Sequence, residues 1–408
     1  MSTETDQKSG HGSANPSPWL FLIIGLGAFA IGTAEFAAMS LVPLVAHRFA
    51  LSVPQAGWTV VFYALGVCIG APIIALVSAG RAHRSTLIAT MLLYTLGNAL
   101  SAAAPNASCL FLFRFLTGLP HGAYFSTASL VAASLVAPEK RASAVGRVFL
   151  GLTSATIVGV PLANFLAQIS GWRIVFGLIA TLSCLTTWLL WRFIPHNADL
   201  PQTSLREEVR ALRNKRVCLI LAIGGIGFGS LFCVYTYLAS IMTAVTHTDP
   251  NFTPVILAIF GIGLTTGTSI CSHLADRKMS TTLGGVLMLG AISTALFPLA
   301  SRSLIPLGID IFFIGASGGL SAVVSAYLLS VARKGKNLAV ALSHSAFNIA
   351  NALGPWLGGL AITAGMGWTS VGWVGCALSL TALGLFFVEL FQYNHADPCA
   401  EIKTCSEG

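Results

Sequence analysis

Twelve continuous apolar runs punctuate the 408-residue sequence, from Trp19–Leu44 to Val371–Phe391. Each has the length of about 20 residues that a helix needs to cross a hydrocarbon core about 30 Å thick. Their continuity excludes strands as the spanning unit, because a membrane barrel alternates polar and apolar residues along short strands. Asp, Glu, Lys and Arg make up 9% of the chain, against about 25% in a soluble globular protein. That is too little charge to cover a water-facing surface, so a soluble enzyme and a disordered chain are both excluded. The expected fold is an all-α membrane protein of 12 transmembrane helices in two six-helix bundles.

Basic residues orient the spans, because short cytoplasmic loops carry the excess of Lys and Arg. With the N-terminus inside, eighteen of the 22 fall on the inner face, Arg48, Arg173 and Arg302 on the outer face, and Arg114 within a span. The net charge of +8 is therefore a topology signal, and no nucleic-acid partner is expected. The chain divides into a polar N-terminus (1–17), a first bundle (18–194), a linker (195–216), a second bundle (217–391) and a polar tail (392–408), with both termini cytoplasmic. Segment 1–17 lacks the basic start and cleavage site of a signal peptide, so the first span is expected to remain as an anchor. Leu205–Arg213 in the linker reads as a short amphipathic helix on the inner membrane surface.

The two bundles echo each other. Gly80-Arg81 and Asp276-Arg277 stand 196 positions apart, the same shift carries Gly122 to Gly318, and Gly159-Val160-Pro161 recurs as Gly354-Pro355. Parallel repeats of this kind build transporters that alternate access around a midplane site.

An ionisable group within a bilayer is costly and calls for a reason. Few are present: Glu35 in the first span, Arg114 and His121 in the fourth, Asp310 in the tenth and His344 in the eleventh, where Asn348 and Asn351 share one helix face. Glu35 is the expected proton-coupling group, able to load a proton from one compartment and release it to the other. The alternative is a Glu that locks the first span to a neighbour. Arg114 either compensates Glu35 or Asp310, or binds backbone carbonyls freed where Gly and Pro loosen a helix. His121 follows Pro120, a helix breaker, and either lines a cavity or packs through a hydrogen bond. Asn348 and Asn351 suit interhelical bonding, with substrate contact the alternative for Asn348, and Tyr124, Tyr235 and Tyr237 offer aromatic contacts to a semi-apolar solute. Asp310 stands near enough to the outer interface for partial hydration.

The stretches Gly225–Gly229 and Gly261–Gly263 follow no strand and read as helix-packing glycines, not nucleotide loops. No G-x-x-x-x-G-K-[ST] or H-E-x-x-H stretch occurs, and the nine cysteines are scattered singly with no C-x-x-C pair. Neither cofactor nor metal is expected, and a proton gradient is the expected energy source.

Five segments, in order along the chain, resemble the major facilitator superfamily, and within it the arabinose-efflux-permease-like branch of the 12-helix drug:proton antiporters. Gly32-Thr33-Ala34-Glu35-Phe36 through Leu41-Val42-Pro43 resembles the first-helix motif, whose acid serves proton coupling. Tyr63-Ala64-Leu65-Gly66 with Gly70-Ala71-Pro72 resembles the second helix. Arg114 to Gly122 resembles the fourth-helix motif, whose arginine is implicated in proton relay. Gly159-Val160-Pro161-Leu162 resembles the fifth-helix antiporter motif, and Leu274-Ala275-Asp276-Arg277 the cytoplasmic gating motif.

The resemblance implies a small-molecule solute and protons as partners, with helices one, four, seven and ten lining the cavity. It also implies gating roles for Arg81, Arg84, Asp276, Arg277, Gly159 and Pro161, a bacterial inner-membrane location, and an architecture for which a monomer suffices. Two departures stand out. After the second helix, Ser78–Arg84 keeps only the basic part of the gating motif, and Ala163-Asn164 stands where glycines are common. Symport and passive facilitation remain alternatives on the same fold. A membrane enzyme or receptor is remote, since no catalytic constellation is visible and the longest loop spans 195–216.

Overall fold

A computed structural model describes residues 18–78, 81–137, 140–195, 214–331 and 336–394. Among these every regular element is helical and none is a strand. That is the outcome demanded of a chain in lipid, where each backbone group must be paired within its own segment. The proposed amphipathic helix at 205–213, the N-terminal segment 1–17 and the tail beyond 394 lie outside the described residues, as do the side chains of Lys336 to His344.

The first half comprises α1 (Pro18–Ser40), short α2 (Val42–Phe49) and α3 (Val53–Ala56), then α4 (Trp58–Ser78), α5 (His83–Ala103), α6 (Ala107–Gly118) and α7 (His121–Ser134). It ends with α8 (Arg141–Ser154), a π-helical turn (Ala155–Gly159), α9 (Val160–Ser170) and α10 (Trp172–Phe193). The second half comprises α11 (Lys215–Ala244), α12 (Thr253–Ala300), α13 (Leu304–Ala316), a 3-10 turn (Ser317–Gly319), α14 (Leu320–Val331), α15 (Lys336–Thr363) and α16 (Ser370–Asn394).

Nine stretches among the described residues are long and apolar enough to cross a membrane, against the twelve apolar runs of the sequence. The differences are local. Pro120 interrupts the fourth run and leaves pieces of 12 and 14 residues, each short of a crossing. Runs eight and nine form the continuous 48-residue α12, whose one non-helical residue is Lys278 (φ −145°, ψ 74°). A Cβ on Gly267, before Lys278, would meet Ala316, and one on Gly290, after it, would meet Ser317. The two arms of α12 therefore lie side by side. The eleventh run is α15, whose first nine side chains are not described.

Glycine sets how closely the helices approach. A Cβ on Gly66 or Gly118 would strike the Phe115 or Tyr63 carbonyl across the α4–α6 contact, and one on Gly70 the Leu119 carbonyl. In the second half, Gly263, Gly315 and Gly267 meet the Phe312, Phe260 and Ala316 carbonyls in the same way. Every one of these residues lies 197 positions from its counterpart. The repeat thus has a register of 197 within the membrane, which aligns Gly122 with Gly319 and corrects the shift of 196 that pairs it with Gly318. The helix interruptions obey the same register, at Leu119-Pro120 in one half and at the 3-10 turn from Ser317 in the other.

The glycine-rich stretches pack as the sequence suggests. A Cβ on Gly225 would approach the Ala346 carbonyl on α15, and one on Gly261 would strike the Thr156 carbonyl in the π-helical turn of the other half. The halves meet through α4 against α15, α1 against α11, and α9 with the π-helical turn against α12.

Candidate functional site

The seam between the halves is apolar around one acid. Glu35 sits on α1 with only 8% of its surface exposed, in a helix whose neighbouring side chains are Ala34 and Phe36. Its Oε1 accepts a 2.9 Å hydrogen bond from Asn351 Nδ2 on α15, 316 positions away in the other half. Next to it, Phe36 packs its ring 6.0 Å from Phe232 and 5.9 Å from Tyr235, both on α11. Glu35 therefore faces the second half and is held there by a neutral amide, with no cation within ion-pair distance among the described residues.

Arg114 lies behind Glu35 and is fully buried. Its Nη2 donates to the Ala34 carbonyl at 3.3 Å. Its guanidinium carbon stands 4.3 Å from the Tyr63 ring centroid and 5.0 Å from that of Phe176. Nε and Nη1 have no hydrogen-bond partner. Two aromatic faces and one backbone carbonyl thus hold the cation. Leaving donors of a buried charge unsatisfied is costly.

His121 opens α7 directly after Pro120, and its Nδ1 lies 2.8 Å from the Tyr63 hydroxyl. That hydroxyl stands 3.5 Å from the Tyr94 hydroxyl, which donates to the Ile31 carbonyl at 3.4 Å. Tyr63 thereby joins Arg114 to His121, and Tyr94 ties that pair to α1 one turn before Glu35; sequence reasoning did not single out either tyrosine for this role. Tyr63 stood in a quoted motif, but nothing local says which way a tyrosine in an apolar helix points.

Other predicted contacts are placed elsewhere. Tyr124 donates to the Ile24 carbonyl at 2.7 Å and ties α7 to α1. Tyr237 donates to the Pro355 carbonyl at 2.7 Å within the second half. Tyr235 is buried at the seam, its ring centroid 4.1 Å from that of Phe260. Asn348 is buried one turn from Asn351. Asp310 is 7% exposed, with Oδ2 lacking a protein hydrogen-bond partner. The side chain of His344 lies outside the described residues.

At the basic end, Arg84 Nε donates to the Ile194 carbonyl at 2.7 Å and Nη2 to that of Trp191, bracing α5 on α10. Arg81, Asp276 and Arg277 are exposed at the same end. Gly159 closes the π-helical turn where a Cβ would strike Thr33 on α1. Pro161, which has no N–H to donate, follows within α9; such turns are frequent at functional sites.

The sequence survey also passed over Glu389. This acid is 1% exposed on α16. Its Oε1 accepts from Arg216 Nε at 2.7 Å, and both carboxylate oxygens lie 2.8 Å from the Tyr327 hydroxyl. The signal was present, an acid inside the twelfth apolar run, but its partner is 173 positions away.

Comparison with known proteins matches a family model described as "Major Facilitator Superfamily" to residues 24–334. The "Inner membrane transport protein YdhP" of Escherichia coli K12 is 37% identical over 368 residues, covering 90% of this chain and 95% of that protein. A "Probable sugar efflux transporter" of Haemophilus influenzae is 27% identical, over 92% of this chain and 95% of the relative. Among solved structures, the nucleoside transporter NupG superposes with a TM-score of 0.71 at 13% identity, covering 91% of this chain and 99% of its own.

Proposed function

The chain belongs to the major facilitator superfamily, and on that premise we propose that it is a proton-coupled antiporter exporting a small organic solute by alternating access. It is a multi-pass inner-membrane transporter and not an enzyme. In this reading twelve spans form two lobes that rock about the seam, with the basic face cytoplasmic.

One observation carries the coupling. Glu35, buried on one lobe, bonds across the seam to Asn351 of the other. Rocking that parts the lobes must break this bond. An ionised carboxylate would lose a charge-assisted contact, whereas a protonated one gives up less. Proton occupancy of Glu35 is thereby tied to which compartment the site faces. Arg114, bonded to the adjacent Ala34 carbonyl, holds a positive charge behind the acid while keeping donors in reserve.

The energetics suffice. One pH unit supplies about 1.4 kcal/mol per proton, and 100 mV adds about 2.3 kcal/mol per charge moved. One proton across both sustains a solute gradient on the order of a few hundredfold at about 1.4 kcal/mol per decade. The name of the Haemophilus relative makes sugars the first class to test, with drugs and nucleobases beside them.

The test is transport in inverted vesicles under an imposed pH gradient across such a panel, with parent and Glu35→Gln compared. The variant is expected to lose gradient-driven movement by roughly tenfold or more while still exchanging solute for solute. Full gradient-driven activity in Glu35→Gln would remove the proton-coupling role and favour a facilitator.

A further inference from the structure

We infer that Tyr63 is a positioning residue for coupling, joining the protonation state of His121 to the stretch of α1 that carries Glu35; this rests on the antiport reading above. Tyr63 touches both Arg114 and His121. The face of its ring carries the Arg114 guanidinium at 4.3 Å, and its hydroxyl meets His121 Nδ1 at 2.8 Å. Two threads run on from it to α1. Arg114 donates to the Ala34 carbonyl, the residue beside Glu35. Tyr94, next to the Tyr63 hydroxyl, donates to the Ile31 carbonyl, one turn before Glu35.

The hydroxyl has a single proton and two possible acceptors, which makes it a two-position element. With neutral His121 bearing its proton on Nε2, Nδ1 accepts the bond from Tyr63. Once the imidazole is protonated, both ring nitrogens are donors, so Nδ1–H donates to the Tyr63 oxygen. The Tyr63 proton then turns to the Tyr94 oxygen, whose own proton is already committed to Ile31. Loading His121 therefore reverses the sense of the first bond and makes the second one, adding a restraint that ends on α1. The ring meanwhile stays under Arg114. An apolar residue at position 63 could pack, but it could not transmit this change.

The groups presented by helices packed on α7 are Tyr63 from α4, Tyr94 from α5, Arg114 from α6 and Glu35 from α1. From α8 comes Arg147, which lies over the Phe21 ring at 5.2 Å. On α15 the titratable residues are Lys336 and His344, whose side chains are outside the described residues.

The experiment needs no solute. Spin labels attached through noncanonical residues at exposed positions 141 and 278, one in each half, report the distance between lobes at about pH 5.5 and about pH 8, either side of the ordinary imidazole range. In the parent, the ratio of the two distance populations is expected to change by roughly fivefold or more between these conditions. Tyr63→Phe keeps the ring and removes the hydroxyl. It should reduce that response to less than roughly twofold while retaining both populations. Tyr63→Leu, which also removes the face under Arg114, should lose the response and displace the populations at both conditions.

A parental response that persists in Tyr63→Phe but vanishes in Glu35→Gln would overturn this inference and leave the antiport reading standing. Equal displacement at both conditions in Tyr63→Phe, with the response intact, would make the residue structural and overturn it too. Absence of any response in the parent would fell the antiport reading itself.

Discussion

The α4–α6 contact of the first half and the α12–α13 contact of the second are built alike and filled differently. Both use glycines against carbonyls at a constant offset of 197 residues, and both end at a helix interruption in the same place. The same offset carries buried Arg114 to buried Ile311 and Tyr63 to Phe260. One copy thus has a cation, a tyrosine and a histidine around its close approach, and the other has isoleucine, phenylalanine and Gly318. Backbone architecture is shared because close helix approach depends only on small residues at the contact. At these matched positions the ionisable groups stand in the first copy alone, while the second keeps its buried acid, Asp310, elsewhere on α13; each such group costs stability. The asymmetry is therefore one of side chains at equivalent backbone positions.

Substitution at the shared glycines strikes hardest at the comparison. Gly70→Val and Gly267→Val should each cost about 3 kcal/mol or more, since a Cβ would strike the Leu119 or Ala316 carbonyl, both of which are backbone and cannot swing aside. Size-exclusion recovery and thermal unfolding in detergent should show both variants damaged to a similar degree. Tolerance of one and not the other would break the structural equivalence.

Exchanging the unlike residues comes next. Ile311→Arg places an unpartnered charge in an apolar contact and should cost about 3 kcal/mol, as breaking a buried pair does. Arg114→Ile removes a cation whose Nε and Nη1 are unsatisfied, so thermal stability should hold or rise by about 1 kcal/mol. Gradient-driven transport should meanwhile fall roughly a hundredfold. Loss of folding in Arg114→Ile would assign the arginine to structure and erase the functional asymmetry.

The smallest effect sharpens the same contrast. Glu389 belongs to the second half but is fully engaged by Arg216 and Tyr327. Glu389→Gln should lower stability by about 2 kcal/mol, the cost of weakening a hydrogen-bonded charge. Transport per folded molecule should be unchanged. A specific loss of transport would show that the second half, too, carries functional charge.

Much of the fold was legible because a bilayer acts on each segment alone. A run of apolar residues must be helical there whatever its neighbours do, so the first and seventh spans could be read from short windows. Glu35 and Arg114 stood out for the same reason, as charges where lipid forbids them. Tyr63 and Tyr94 did not, because a tyrosine in an apolar run is unremarkable until its hydroxyl is seen to face His121. Tyr124 carries the same group and reaches a backbone carbonyl instead. Glu389 was obscured by its place at the end of an apolar run.

Sequence alone thus determined an all-helical membrane chain, its basic face, its twofold repeat and the buried charges of Glu35 and Arg114, since hydrophobicity and charge are properties of each residue. Tertiary structure alone decided that Glu35 meets Asn351 across 316 positions, that the repeat runs at 197 and not 196, and that one tyrosine touches both a cation and an imidazole. Those facts depend on how far each helix is rotated about its axis and slid along its neighbour. A turn of about 100° per residue sends adjacent side chains to different partners, so only the assembled packing selects which polar groups come together.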